Sequence, residues 1–270
     1  MKICLLGVEG NSYTKNMCIE FDKRKIEYDL LLVRRKRKSF LVKILLIPYN
    51  LYLMSTRGRF KALSKTRPYF WLEFIKTLVK IKFSNSYEFE KKYNTIDFNE
   101  AIRNAGNVSY TDSINHVDSY KVLKLSGYEL GVFAGVGIVS EYIIGSFSHY
   151  CLNAHPAPLP LCKGGGALEN TLNLGLPPSV SIHKAIKEID GGAIFSVTKL
   201  ELVKSDTFES VYKKLSILCC ISMAKAVRQI LDEESIMWSE NVGTLYYWNE
   251  CSEQIQKNVR YVLKKKLSEL

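Results

Sequence analysis

The sequence predicts an α/β fold with a Rossmann-like parallel or mixed sheet flanked by helices. At the amino end, a short apolar run at 2–8, helical spacing at 14–25 and a second apolar run at 26–33 follow one another. This β-α-β order is how a parallel sheet covered by helices begins. Further apolar runs at 107–110, 128–135 and 149–155 alternate with helical spacing at 113–126 and 140–144. The pattern therefore continues through the middle of the chain.

The later part of the chain adds two strands and one long helix. Alternating residues predict strands at 180–186 and 193–202, joined by an acidic turn. An amphipathic helix is predicted at 207–231, with Asp206 or Thr207 as its cap and Glu209 in its first turn. A Lys-rich helix from about residue 252 closes the chain. We expect one main domain over 1–235 and a small extension over 236–270, which is too short for a second globular domain.

The composition is that of an ordinary globular protein. Hydrophobic residues make up 47% of the 270 residues and charged residues 24%. The seven Cys lie mostly in apolar runs without C-x-x-C spacing, which favours buried thiols in a reducing cytoplasm over a zinc or disulfide framework. The opening residues do not have the pattern of a signal peptide, and no uncharged apolar run is long enough for a transmembrane helix. We expect a cytoplasmic protein.

The positive charge is concentrated in one segment. Residues 34–92 hold 16 Lys or Arg and three acidic residues, whereas the whole chain has a net charge of +11. Many apolar residues and two prolines, Pro48 and Pro68, predict a helical insertion here. Its charge suits an anionic partner, such as a diphosphate-sugar, a membrane surface or nucleic acid. A solvated helical lid, a peripheral contact with the inner membrane face and a homodimer interface remain alternatives.

A pair of polar residues ends the predicted strand at 149–155. Asn153 and His155 are two positions apart, so they project from the same face of the strand. Ligands of open α/β sheets bind outside the carboxyl ends of the strands, where this pair would lie. Three prolines and a glycine-rich turn at 163–166 follow, and a helix beginning near Ala167 would direct its free N–H groups toward the same region. Spacing alone does not separate a catalytic pair from a structural one.

Several segments taken together resemble the formyltransferase family that uses 10-formyltetrahydrofolate. The family pattern Asn-x-His-Pro-x-x-Leu-Pro is present at 153–160, followed by a Gly-containing loop, a strand with Ser181 and His183, and the acidic turn with Asp190 and Gly192. The family includes methionyl-tRNA, glycinamide ribonucleotide and sugar-nucleotide formyltransferases. This chain has Ala157 where Ser is common and Lys163 where Arg is common.

The resemblance implies a role for each matched residue. Asn153 and His155 would stabilise the oxyanion that forms when an amine attacks the formyl carbon, and Asp190 would orient His155 or a water and relay the proton. No metal is implied. The implied folate-binding residues are Gly135, Val136, Gly137, Ile138, Val139, Lys187, Glu188 and Ile189, and the implied substrate-binding residues are Lys163, Gly164 and Gly165.

The acceptor is reached by elimination within the family. Methionyl-tRNA enzymes carry an additional carboxyl-terminal β-barrel, and the purine-synthesis enzymes have no basic insertion. An amino sugar remains, nucleotide-linked and destined for a surface polysaccharide. Formylation of methionyl-tRNA or glycinamide ribonucleotide, and a membrane- or RNA-binding protein that reuses the fold, are the alternatives. A small-molecule amine is the expected partner, and nucleic acid is not.

Overall fold

The computed structural model describes residues 1–35, 93–233, 236–247 and 253–269. The chain divides into two units, 1–35 with 96–270 and 36–95, and every element below belongs to the first. The predicted basic insertion at 34–92 lies outside the described residues, apart from its first two positions.

The described elements follow the predicted order closely. The strands are β1 (Ile3–Val8), β2 (Asp29–Val33), β3 (Val108–Thr111), β4 (Leu130–Ala134), β5 (Tyr150–His155), β6 (Lys163–Gly164), β7 (Ser179–Ala185), β8 (Ile194–Lys199) and β9 (Leu245–Tyr246). The helices are α1 (Ser12–Lys23), α2 (Phe98–Ala101), α3 (Val117–Ser126), α4 (Glu141–Ile144), α5 (Ala167–Asn173), α6 (Phe208–Leu231) and α7 (Glu253–Ser268). The two-residue strands β6 and β9 and the one-turn helix α2 are additions to the sequence prediction.

Seven of the described strands form one mixed sheet in the order β3-β2-β1-β4-β5-β7-β8. Neighbouring strands from β3 to β5 are parallel, whereas β7 is antiparallel to both β5 and β8. The predicted mixed sheet with flanking helices is confirmed. Strand order reverses between β1 and β4, so the loops that leave these two strands diverge and open a crevice at the carboxyl edge.

Apolar side chains cover both faces of the sheet. Alternate residues of β1 point to opposite sides, so Leu5 belongs to one buried cluster and Leu6 to the other. The first cluster includes Met17 and Phe21 of α1 together with residues of α6. The second includes Leu123 of α3 and residues of α4. Burial on both faces explains why the central strands are continuously apolar in sequence.

Helix α6 begins with a reciprocal pair of hydrogen bonds. The N–H of Thr207 donates to the hydroxyl of Ser210 over 2.9 Å, and the N–H of Ser210 donates to the hydroxyl of Thr207 over 3.1 Å. Of the two predicted caps, Thr207 is therefore the N-cap. Asp206 instead accepts from the Ser210 hydroxyl and from the Lys214 ammonium.

The described part of the carboxyl-terminal segment packs against the same core. Strand β9 pairs in parallel with β6, and Val259, Leu263 and Leu267 of α7 are buried within the first apolar cluster. The division at residue 235 into a main domain and an extension stays a prediction.

Candidate active site

A cavity of about 450 Å³ opens at the carboxyl edge of the sheet. Its walls come from the segments that follow β1, β4 and β5 and from α5 and α6, where Tyr13, Gly135, Pro156, Glu169 and Tyr212 are among the lining residues. Asn153 and His155 also line it. The volume lies within the roughly 300–1,000 Å³ of small-molecule sites. The cavity lies at the end of β5, where the sequence places Asn153 and His155.

Asn153 is held by a neighbouring histidine that sequence reasoning assigned to supporting structure. The Nδ1 of His183 lies 2.8 Å from the carbonyl oxygen of Lys184. A carbonyl only accepts, so Nδ1 carries a proton. The Nε2 of His183 lies 3.2 Å from the Asn153 amide nitrogen, which is also 3.4 Å from Asp190 Oδ1. The amide N–H groups of Asn153 therefore face His183 and Asp190.

Both ring nitrogens of His155 face acceptors. Its Nε2 lies 3.0 Å from the carbonyl oxygen of Cys162, and its Nδ1 lies 3.2 Å from Asp190 Oδ2. The first contact requires a proton on Nε2. The second contact is attractive only while one proton lies between Nδ1 and the carboxylate. The His155 side chain is 6% exposed and that of Asp190 is 12% exposed, so this proton is screened from bulk solvent.

Burial and neighbouring groups have opposite effects on the pKa values of His155 and Asp190. Burial raises the pKa of the Asp190 carboxyl, but the hydrogen bond with His183, the charge of His155 and the N–H of Gly164 outweigh it, so the pKa is lowered overall. Burial lowers the pKa of His155, and the charge of Asp190 opposes this change. Buried ionisable groups with displaced pKa values in a cleft are typical of functional sites.

Asp190 lies in the loop between β7 and β8 with a left-handed backbone, at φ 49°. This conformation turns its carboxylate toward β6, where the N–H of Gly164 donates to Oδ2 over 2.9 Å. Gly164 itself has φ +86°, and a Cβ at this position would overlap the carbonyl oxygen of Tyr246. Only glycine allows β9 to approach β6 this closely.

The predicted folate-binding residues surround two connected regions. Gly137, Ile138 and Val139 face Lys187, Glu188 and Ile189 across a smaller cavity of about 120 Å³, which Asn153 and Asp190 also line. Gly135, Val136 and Gly137 line the larger cavity. The structure thus brings the two predicted segments together, with Asn153 in the walls of both cavities.

The predicted substrate-binding residues separate into two groups. Gly164 and Gly165 line the larger cavity. Lys163 is placed differently from the expectation, because its side chain is buried and its ammonium donates to the carbonyl oxygen of Asn241 over 2.7 Å.

Sequence reasoning missed Glu169 as a site residue. It lies on the wall of the larger cavity, and its Oε2 is buried without a hydrogen-bond partner among the described residues. In the sequence it is an ordinary acidic residue in the first turn of a helix. Tyr13 could have been found, since it closely follows the central strand β1 at the edge where ligands bind.

The described ranges contain neither a candidate metal site nor a candidate membrane-spanning helix. No group of three or more His, Cys, Asp or Glu side chains there is placed to hold a metal ion. Within those same residues, no helix combines the length and the apolar character needed to cross a membrane.

A model of the formyl transferase family matches residues 85–226, which is more than half of the chain. The chain belongs to this family. The match includes Asn153, His155 and Asp190, and the resemblance drawn from their motifs is confirmed.

The curated relatives that this chain matches include methionyl-tRNA formyltransferases. One from Wolbachia pipientis subsp. Culex pipiens is 29% identical over 115 residues, which are 42% of this chain and 38% of that protein. One from Bacillus subtilis is 23% identical over 154 residues, 52% of this chain and 48% of that protein. The chain thus spans between about a third and a half of the length of such relatives.

Solved structures of similar fold include sugar N-formyltransferases. One from a Shewanella species has a TM-score of 0.53 at 12% identity and is aligned over 97% of this chain and 88% of its own. An N-formyltransferase from Helicobacter canadensis, in complex with folinic acid and dTDP-3-aminofucose, has a TM-score of 0.54 at 12% identity, over 98% of this chain and 82% of its own. At this identity the likeness shows the fold.

Proposed function

We propose that this protein is an N-formyltransferase that moves a formyl group from 10-formyltetrahydrofolate to the primary amine of a nucleotide-linked amino sugar. The observation that carries the proposal is the largely buried carboxylate of Asp190, which lies 3.2 Å from His155 and 3.4 Å from Asn153 in the wall of the smaller cavity. These three residues come from the family motif and from two separate segments. Their convergence supplies what acyl transfer to an amine requires, namely a hydrogen-bond donor and a proton acceptor.

The smaller cavity is suited to the folate. Ile138, Val139 and Ile189 give it apolar walls for the faces of a ring, and Gly137 leaves the backbone open to polar edges. Its volume of about 120 Å³ holds only part of such a molecule, since whole ligands need roughly 300 Å³ or more. The larger cavity then receives the acceptor, and the formyl group passes between the two cavities beside Asn153, which lines both.

The reaction joins the acceptor nitrogen to the formyl carbon and breaks the bond between that carbon and N10 of the folate. The proton that the acceptor loses ends on N10. Asn153 donates an N–H to the formyl oxygen, for which its longer contact, 3.4 Å to Asp190, is the one to give way. Asp190 takes the proton from the acceptor amine and returns it to the leaving nitrogen.

His155 acts on Asp190 in this scheme. Because its Nε2 is bound to the carbonyl of Cys162 and its Nδ1 faces Asp190, we assign it to holding the carboxylate and its proton in place. The oxyanion contact then belongs to Asn153. This differs from the sequence-based expectation, which gave that contact to both residues.

Glu169 is proposed to receive the ammonium form of the acceptor. Its buried Oε2 has no partner among the described side chains and lines the larger cavity, and a buried carboxylate oxygen is stabilised by a charged donor. A protonated primary amine is such a donor. The ammonium would bind there and release one proton to solvent before the attack. The second proton, lost on attack, is the one that Asp190 passes to N10.

Methionyl-tRNA is the second candidate acceptor, favoured by the curated relatives. One assay separates the candidates: the full chain is incubated with 10-formyltetrahydrofolate and, in parallel, dTDP-3-aminofucose, methionyl-tRNA or glycinamide ribonucleotide. Mass spectrometry then detects the gain of one formyl group. A formylated sugar supports the proposal and a formylated tRNA replaces its acceptor. Folate binding without a formylated product from any amine overturns the transferase function.

A further inference from the structure

A segment outside the family match crosses the candidate site. Residues 236–247 follow the match, which ends at residue 226. Ser239 and Ile194 exchange two backbone hydrogen bonds of 2.9 Å, at the start of β8. Farther along, β9 pairs with β6. The segment therefore joins the two chain regions that flank the Asp190 carboxylate, the β7–β8 loop and the strand with Gly164.

Asn241 lies between these two attachments and contacts both regions. Its amide nitrogen donates to the carbonyl oxygens of Asp190 and Gly192, each over 2.7 Å. Its own carbonyl oxygen accepts from the ammonium of Lys163, also over 2.7 Å. Lys163 is the neighbour of Gly164, whose N–H binds the Asp190 carboxylate. One buried residue thus fixes the main chain of Asp190 and the strand that its carboxylate reaches.

The Asn241 side chain contributes to the structure through its two amide N–H donors. Both N–H groups have carbonyl partners, whereas Oδ1 is buried without a partner among the described residues. An unpaired buried oxygen is unfavourable, so an apolar residue would serve simple packing better. Asp190 needs those donors because its left-handed backbone, at φ 49°, is uncommon for a residue with a side chain. The hydrogen bond from Asn241 to the main-chain carbonyl oxygen of Asp190 fixes the backbone there, and with it the direction in which the Asp190 side chain points.

Gly243 shows how closely this segment approaches the site. A Cβ at this position would overlap the carbonyl oxygen of Pro160, which lies in the motif that carries Asn153 and His155. The segment is therefore seated against the motif at Gly243, against the Asp190 loop at Asn241 and against β6 at β9.

We propose that Asn241 is a positioning residue that holds the Asp190 carboxylate against His155. The effect on turnover rests on the proposed function, whereas the effect on the His155–Asp190 contact does not. The segment after the family match is then part of the active site.

The first test uses the full chain without substrate. In ¹⁵N-histidine NMR, with the His155 signal assigned by its loss in His155→Gln, Asn241→Ala should shift the titration of His155 to lower pH. The groups facing His155 and Asp190 in this site are His183 and, beyond Asn241, Lys163. Without a fixed carboxylate, only the hydrogen bond with the Cys162 carbonyl still opposes the effect of burial, which lowers the pKa of His155. An unchanged titration in folded Asn241→Ala overturns the proposal.

The second test measures turnover with the acceptor that the wild-type protein formylates. Asn241→Ala should lower kcat by roughly 10- to 100-fold with little change in KM, because misplacing a catalytic group costs rate and not binding. Asn241→Ser, which keeps one donor, should recover part of the loss. Asn258→Ala is the matched control, since Asn258 is exposed and its side chain binds Asn173. Equal losses in both Ala variants would show a structural effect only and contradict the proposal.

The two kinds of failure are distinguishable. A wild-type protein that formylates no acceptor refutes the proposed function, and the NMR comparison still decides whether Asn241 positions Asp190. If Asn241→Ala melts below the assay temperature, both measurements are made on Asn241→Ser. That variant is expected to show a smaller shift and a smaller loss of kcat, and wild-type values would overturn the inference.

Discussion

The two edges of the sheet both carry cavities lined by carboxylates, but among the described residues only the carboxyl edge places one carboxylate beside two imidazoles. At the amino edge, a cavity of about 930 Å³ is lined by Asp22, Asp29 and Glu129 among others. Asp29 there accepts hydrogen bonds from the N–H of Asn107 over 2.7 Å and from the hydroxyl of Tyr128 over 2.8 Å. These partners are neutral groups of adjoining loops, so the carboxylate serves the fold.

At the carboxyl edge, the cavity has about half that volume, yet Asp190 lies within 3.5 Å of two imidazoles from two strands. The volume of a cavity therefore does not indicate where the catalytic groups lie in this molecule. The contact of one carboxylate with two imidazoles does indicate it, because a proton can move only between groups in contact and imidazole is the side chain that titrates near neutral pH.

The largest expected effect comes from removing the charge of Asp190. Asp190→Asn should lower kcat by about 10²–10⁴-fold, the usual contribution of a general acid or base. The fold should persist, because Asn tolerates the left-handed backbone at this position. The measurement is kcat, with circular dichroism to check folding.

Asp29→Asn at the opposite edge is the matched control for Asp190→Asn. It should leave kcat unchanged and lower the free energy of unfolding by about 1–2 kcal/mol, since its hydrogen bonds to a charged acceptor are weakened. Similar kcat values for the two variants would contradict the distinction between the edges.

The next effect concerns acceptor binding. Glu169→Gln should raise KM for the amine by about 10- to 100-fold, the range that the loss of a charge-assisted hydrogen bond produces, and change kcat less. Steady-state kinetics at fixed folate concentration measure it. Glu201→Gln is the control, because Glu201 is exposed in the irregular segment after β8. If kcat falls and KM does not change, Glu169 does not bind the acceptor.

The sequence determined the fold and part of this site for identifiable reasons. A period of two placed Asn153 and His155 on one face of β5, and the structure keeps them together at the strand end. Asp190 could be added only through the family resemblance, because its contact with His155 spans 35 positions and leaves no local pattern. Residue spacing alone allowed a plain hairpin turn there.

The missed residues are those defined only by tertiary contacts. Asn241 lies in an irregular segment, and its importance depends on two carbonyl groups about 50 positions away in sequence. The strands β6 and β9, of two residues each, are too short to show a period. The burial of one oxygen of Glu169 depends on how α5 and α6 enclose the cavity. Periodicity does not contain such information.

A smaller effect is expected at the folate cleft. Ile138→Ala should raise KM for 10-formyltetrahydrofolate by about 3- to 10-fold, because Ile138 is 77% exposed without ligand and lines the smaller cavity. A bound ring would cover part of this side chain, and loss of the outer methyl groups from that contact accounts for about 1 kcal/mol. Leu125→Ala on α3, where the side chain is 87% exposed, should leave this KM unchanged. Equal KM values for the wild type and Ile138→Ala would place the folate elsewhere.

The smallest effect distinguishes the two edges by the sign of their pH dependence. The pKa of Asp190 is lowered in the folded protein, so its charge stabilises the fold above the unfolded pKa, near 3.9, and this contribution is lost as pH falls through the folded pKa. Burial raises the pKa of Asp22 despite hydrogen bonds from Asn104 and Tyr28. Its charge therefore destabilises the fold at neutral pH, and protonation relieves this as pH falls through the raised pKa.

Urea unfolding between pH 3 and pH 7 tests the difference. The stability of the wild type relative to Asp190→Asn should decrease as pH falls, whereas its stability relative to Asp22→Asn should increase. The two curves change in opposite directions because the hydrogen bonds and the charge of His155 outweigh burial in setting the pKa of Asp190, whereas burial outweighs the hydrogen bonds in setting the pKa of Asp22. Curves that change in the same direction would mean that the proton between His155 and Asp190 does not stabilise the fold. The carboxylates at the two edges would then not differ in how their charge affects stability.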